Sequence, residues 1–152
     1  MKEMTMKDRM MEQIKEILED SELNYDCNER CFGVPFDDFI VGIEPADNAL
    51  EMKLFERETV EEEYRTEMLR LLNSANMMIK EGHWELEENE RPCFRIYVRM
   101  PENGALETSR IAGILAKVFM AHKTLGTAIK RVMYGLSTAE EALEEVLQNM
   151  SE

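Results

Sequence analysis

Residues 71–100 read LLNSANMMIKEGHWELEENERPCFRIYVRM, and the spacing of the apolar residues changes within them. Up to Gly82 the stripe Val60, Tyr64, Met68, Leu71, Ala75 and Ile79 recurs every three or four residues, which predicts a helix. Beyond Gly82 the period is two. "HWELEEN" places Trp84 and Leu86 on one face; "CFRIYVRM" sets Phe94, Ile96, Val98 and Met100 against Arg95, Tyr97 and Arg99. Asn89-Glu90 supplies the turn between the two runs, and Pro92 suggests an edge strand. A helix feeding a β-hairpin is the predicted unit.

Two amides interrupt the helix. Asn73 and Asn76 lie three residues apart, on one helical face, with Asn76 at the border of the apolar stripe. A buried amide without partners costs about 1–3 kcal/mol, so the expected role of both is to fasten the helix to backbone of a neighbouring strand or loop. Gly82 suits the left-handed position just past a helix end. At the other end, Thr59 and Glu62 have the spacing of a capping box.

Working outward, Met10, Ile14, Ile17 and Leu18 predict a first helix over residues 4–20. "CFGVPFDD", "FIVGIEP" and "ALEMKLFE" then read as three strands of a meander, with Pro45-Ala46-Asp47-Asn48 as a turn. In the last strand Leu50, Met52 and Leu54 oppose Glu51, Lys53 and Phe55. After the hairpin, Pro101-Glu102-Asn103-Gly104 opens a third helix over about 105–121, carrying Ile111, Ile114, Leu115, Val118 and Phe119. Gly126 marks a bend or a weak point, and Gly135 ends the pattern. Ser137 and Glu140 suggest a second capping box before an acidic helix, AEEALEEVLQNM. The order α-β-β-β-α-β-β-α plus an appended helix predicts an α+β two-layer sandwich: about five antiparallel strands with helices mainly on one face. The expected organisation is one domain over 1–152, with 137–152 as the appended acidic helix.

The helix–hairpin junction "LLNSANMMIKEGHWELEENERPCFRIYVRMP" resembles the YbjN-like group, which shares a fold with type III secretion chaperones. The resemblance spans roughly residues 5–134; Asn76 matches that group's helix asparagine and Gly82 the glycine before its hairpin. It implies a non-enzymatic fold, often dimeric, which in secretion chaperones holds an extended segment of a partner. The tail GLSTAEEALEEVLQNMSE extends past that group's usual last helix.

The 152 residues carry a net charge of -14, which argues against nucleic acid and anionic membrane surfaces as partners. No run approaches the ~18 apolar residues of a membrane span. The N-terminus reads as a helix and not as a targeting segment, and three cysteines fit a reducing cytoplasm. Thirteen methionines suit irregular core packing or an adaptable binding surface.

Charge is unevenly placed. Residues 108–139 hold Arg110, Lys117, Lys123, Lys130 and Arg131 and no acid. The expected docking targets are the chain's own acidic tail, a second copy or an acidic partner segment. On the outward sheet face Phe55 and Tyr97 stand among Glu51, Lys53, Arg95 and Arg99, either as an interface or as the floor under the appended helix. These residues, with Arg110 and Lys117, form the expected surface for a polypeptide partner or a homodimer. An alternative is a small-ligand or metal-binding module using Cys27, Cys31, Cys93 and His83. Hydrolase and nucleotide-binding signatures are absent, so no enzyme and no cofactor are expected.

Overall fold

Period-two and period-3.6 segments sort into two layers in the computed structural model, which describes residues 4–101, 104 and 106–151. Six strands, Asp26–Cys27 (β1), Phe32–Pro35 (β2), Phe39–Pro45 (β3), Ala49–Glu56 (β4), His83–Leu86 (β5) and Pro92–Arg99 (β6), form one antiparallel sheet in the order β1-β2-β3-β4-β6-β5. Four helices, Met6–Asp20 (α1), Arg65–Asn76 (α2), Thr108–Met133 (α3) and Ala139–Ser151 (α4), complete the α+β sandwich. The sixth strand, β1, has no apolar alternation to betray it. It forms because Asp26 and Cys27 pair with Gly33 and Phe32 across a turn that the Asn28 side chain holds.

The core lies between the layers. Val41, Ile43, Met52, Leu54, Phe94 and Ile96 point from the sheet toward Met10 and Ile14 of α1, Met68 and Leu71 of α2, and Ile114, Val118 and Ile129 of α3, all buried. Each such side chain contributes about 1.5–3 kcal/mol when removed from water. The appended α4 packs against α2 and α3, on the helical side, so it does not cover Phe55 and Tyr97. No described helix is long and apolar enough to cross a membrane.

Several local expectations give way to tertiary contacts. No capping box forms at Thr59 and Glu62. The Val60 N–H instead donates to the Glu90 carbonyl at 2.8 Å, which ties this segment to the β5–β6 turn; Glu61 stays extended, a 3-10 turn spans Glu62–Tyr64, and α2 begins at Arg65. The second box is displaced by one residue. The Glu141 N–H donates to Thr138 Oγ1 at 3.2 Å and the Thr138 N–H to the Glu141 carboxylate at 3.3 Å, while Ser137 Oγ accepts from Arg131 at 2.9 Å.

Pro92 opens an interior strand, not an edge one; as the first residue of β6, it pairs with Leu86. The α3 helix runs 26 residues straight through Gly126. A Cβ on Gly126 would stand 3.0 Å from two atoms of the His122 ring, so this glycine makes room for a side chain and does not bend the helix. Glu102, Asn103 and Ala105, where the expected turn and helix start fall, lie outside the described residues.

Candidate functional site

The helix–hairpin junction builds one side of a concave, largely apolar surface. The α2 helix stops at Asn76, three residues short of Ile79, because the Asn76 side chain turns to the sheet. Its Nδ2 donates to the Trp84 carbonyl at 2.8 Å, and the Trp84 N–H donates to its Oδ1 at 2.6 Å. Gly82 is therefore not a helix cap. It passes over β6 at φ +83°, where a Cβ would meet Phe94 Cζ at 2.6 Å and Ile96 Cγ1 at 2.7 Å. Residues 77–81 are left to project from the junction. Asn73, by contrast, is exposed and borders a hollow between α2 and the start of α4.

Between that projection, α3 and the end of α4 lies a groove of about 790 Å³. Ala75, Trp84, Phe94 and Leu125 line its base, and Met78, Ile79, Met120 and Met150 its walls. The volume falls within the ~300–1,000 Å³ of ligand-binding clefts. Three of the wall residues are methionines 47%, 58% and 64% exposed. At the rim, Lys117 donates to the Glu81 carboxylate and Arg110 reaches it at 3.2 Å; the two cations hold the Glu81 carboxyl below the usual range.

The opposite face of the sheet is charged and open. Register places Lys53 beside Arg95 and Arg95 beside His83, with Tyr97 beside Glu51 and Arg99 beside Ala49. Lys53 pairs with Glu87 at 3.1 Å, and Arg95 with Glu85 at 3.0 Å and Glu51 at 4.0 Å. Phe55 is half-buried with the Arg91 guanidinium 6.0 Å from its ring centre, whereas Tyr97 is 57% exposed. The residues singled out from sequence thus divide. Phe55, Tyr97, Lys53, Arg95 and Arg99 share the outer sheet face, and Arg110 and Lys117 sit in the helical layer, beside the groove.

The basic stretch is largely neutralised from within: Arg110 and Lys117 by Glu81, Lys130 by Glu56 at 3.3 Å, and Arg131 by Glu145 of α4 at 3.5 Å. Among the described residues, Lys123 alone of the five has no acidic partner.

Glu56 escaped the reading of the sequence. It is fully buried on the inner face of β4, with His122 Nε2 3.4 Å from one oxygen and Lys130 Nζ 3.3 Å from the other. The Phe39 ring lies 4.0 Å from the His122 ring. Burial pulls the Lys130 ammonium down, but Glu56, helped by Tyr134 and Glu58, outweighs it and leaves the pKa raised. The signal was present: the alternation of Leu50, Met52 and Leu54, carried one step further, points Glu56 inward. With no solvent access to its carboxylate, Glu56 locks the end of β4 to α3.

The cysteine set does not converge. Cys27 and Cys31 flank the β1–β2 turn near one edge of the sheet, while Cys93 and His83 lie on β6 and β5 near the other. Three strand spacings between β2 and β6 amount to about 14 Å. Among the described residues no group of three or more potential ligands could hold a metal ion. Burial pushes the Cys93 thiol up to about 12.

No protein-family model matches the chain, and no curated protein sequence matches it. Solved structures do. YbjN from E. coli, proposed to be a transcription regulator, is similar with a TM-score of 0.54 and 11% identity over 81% of this chain and 87% of that one. An uncharacterized protein from Methanothermobacter thermautotrophicus is similar with a TM-score of 0.50 and 18% identity over 80% of this chain and 96% of that one. The antiparallel sheet with its helical layer is therefore a YbjN-like fold.

Proposed function

We propose that the chain is a non-enzymatic protein-interaction domain, regulatory or chaperone-like, that takes an apolar polypeptide segment in the groove between α2, α3 and α4. The groove carries this reading: it is concave, apolar at its base and walled by solvent-exposed methionines, whose flexible thioethers adapt to varied side chains. A regulatory role agrees with the transcription-regulator role proposed for YbjN. Free thiols at Cys27, Cys31 and Cys93 suit a reducing cytoplasm. The test is an array of immobilised peptides probed with the full chain and with Met78→Glu. Apolar-rich peptides should be retained by the parent and lost by the variant; identical retention would sink the groove reading.

The outer sheet face supports a second reading, as a docking or homodimer surface, because Tyr97 projects from it uncovered. Tyr97→Asp should then abolish binding or self-association that Met78→Glu leaves intact.

A further inference from the structure

One wall of the groove is itself a packed helix. The α4 helix buries Ala139, Ala142 and Val146 against α2 and α3, and its Met150 reaches the groove wall. Its acids, Glu140, Glu141, Glu144 and Glu145, are exposed, and Glu145 meets Arg131 of α3 at 3.5 Å. The helix that packs beside the groove is therefore amphipathic, with a small apolar stripe and an acidic flank that faces a cation of α3.

Beyond Met150, which lies beside Met120, the same surface continues alongside α3 back to Arg110. At 1.5 Å per residue, this stretch is about 15 Å long, room for nearly three helical turns. Its charged lining comprises Lys80, Arg110 and Lys117 against Glu81 alone, and Lys80 has no acidic partner among the described residues. Arg110 and Lys117 share the single Glu81 carboxylate and Lys80 has none among the described residues, so the rim keeps an excess of positive charge. The net charge of -14 does not oppose a local contact, because salt screens charges beyond about 8 Å.

We infer that the open half of the groove binds an acidic amphipathic helix of a partner protein, its apolar stripe on Met78 and Met120 and its carboxylates on Lys80, Arg110 and Lys117. This rests on the groove reading given above and adds the partner's conformation and charge.

The test titrates labelled synthetic peptides into the full-length protein and reads fluorescence anisotropy at low and high salt. One peptide copies residues 137–151, whose acidic helix packs beside the groove; a second carries lysine in place of its glutamates. The acidic peptide should bind about tenfold or more tighter than the reversed one, weaken as salt rises, and bind at least tenfold more weakly to Met78→Glu. Met78 lines the open half of the groove, so substitution there separates groove binding from displacement of α4. Equal or tighter binding of the reversed peptide overturns the inference and leaves the groove reading standing. Unchanged binding to Met78→Glu also overturns it, since the peptide is then replacing α4. If neither peptide binds, the inference fails, and an empty peptide array takes the groove reading with it. A dimer that the acidic peptide dissociates would make the occupant a second copy of this chain and overturn the assignment to a separate partner.

Discussion

Asn76 makes both backbone hydrogen bonds of Trp84, donating to its carbonyl at 2.8 Å and accepting from its N–H at 2.6 Å. One side chain therefore ends α2, anchors the edge strand β5 and sets residues 77–81 at the groove wall. Asn76→Ala strands two backbone groups of a buried residue and should lower stability by about 2 kcal/mol. Asn76→Asp keeps the acceptor and should fall between. Urea denaturation reads both; an unshifted midpoint for Asn76→Ala would deny the fastening role.

Two glycines separate conformational need from mere presence. Gly82→Ala forces a positive φ on alanine and drives its Cβ within 2.7 Å of Phe94 and Ile96, so it should cost about 1–3 kcal/mol. Gly42→Ala meets open space on the outer face and should leave the melting temperature unchanged or slightly raised. A similar loss in both would show that the close approach at Gly82 is not what matters.

Removal of Glu56 leaves Lys130 facing a partly buried void. Glu56→Ala should destabilise by about 3 kcal/mol, near the low end for a broken buried pair because Lys130 keeps some contact with water. Glu56→Leu combined with Lys130→Met replaces charge with packing and should recover most of that loss. Thermal melts of the parent and the two variants decide it, and a double variant no better than Glu56→Ala would contradict the pairing.

Cys93 should be silent toward thiol reagents. Its thiol is buried and pushed up to about 12, against an ordinary value of 9.0, so no thiolate forms near neutrality. Exposed Cys27 should alkylate in the native protein and Cys93 only after unfolding, as peptide mass mapping would show. The sign of the linkage follows. The folded state holds this proton more tightly than the unfolded chain, so the stability linked to it is complete below pH 9 and is lost as pH rises toward 12. Cys93→Ala should flatten that part of the stability–pH curve.

Thr138 caps α4, and Ser137 does not. Thr138→Ala should cost about 1 kcal/mol, felt as faster amide exchange in residues 139–151 with little change in the sheet. Equal acceleration of β4 and β6 exchange would mean that α4 opens only together with the sheet and not as a unit of its own.

The elements were largely legible because spacing alone specifies a face. Alternation in "ALEMKLFE" and "CFRIYVRM" gave both strands and their inward residues, and the helical stripes gave four helices. The ends were not legible. Thr59 and Glu62 had the right spacing for a cap, yet the Glu90 carbonyl, some thirty residues away, claimed the Val60 N–H. Gly126 suggested a bend only because His122 was not known to lean on it. The candidate surface split for the same reason: Tyr97 and Arg110 are both charged-neighbourhood residues in the sequence, but a sheet stands between them.

By itself the sequence determined the α+β class, the helix that leads into a hairpin, the acidic tail and the likeness to YbjN-like proteins, since each follows from residues close together in the chain. Only the tertiary structure decided that Asn76 holds Trp84, that Glu56 is sealed beneath α3, and that methionines from the segment after α2, from α3 and from α4 wall one groove. Those outcomes depend on which distant segments meet, and that is set by how whole faces pack together to exclude water, which local spacing does not encode.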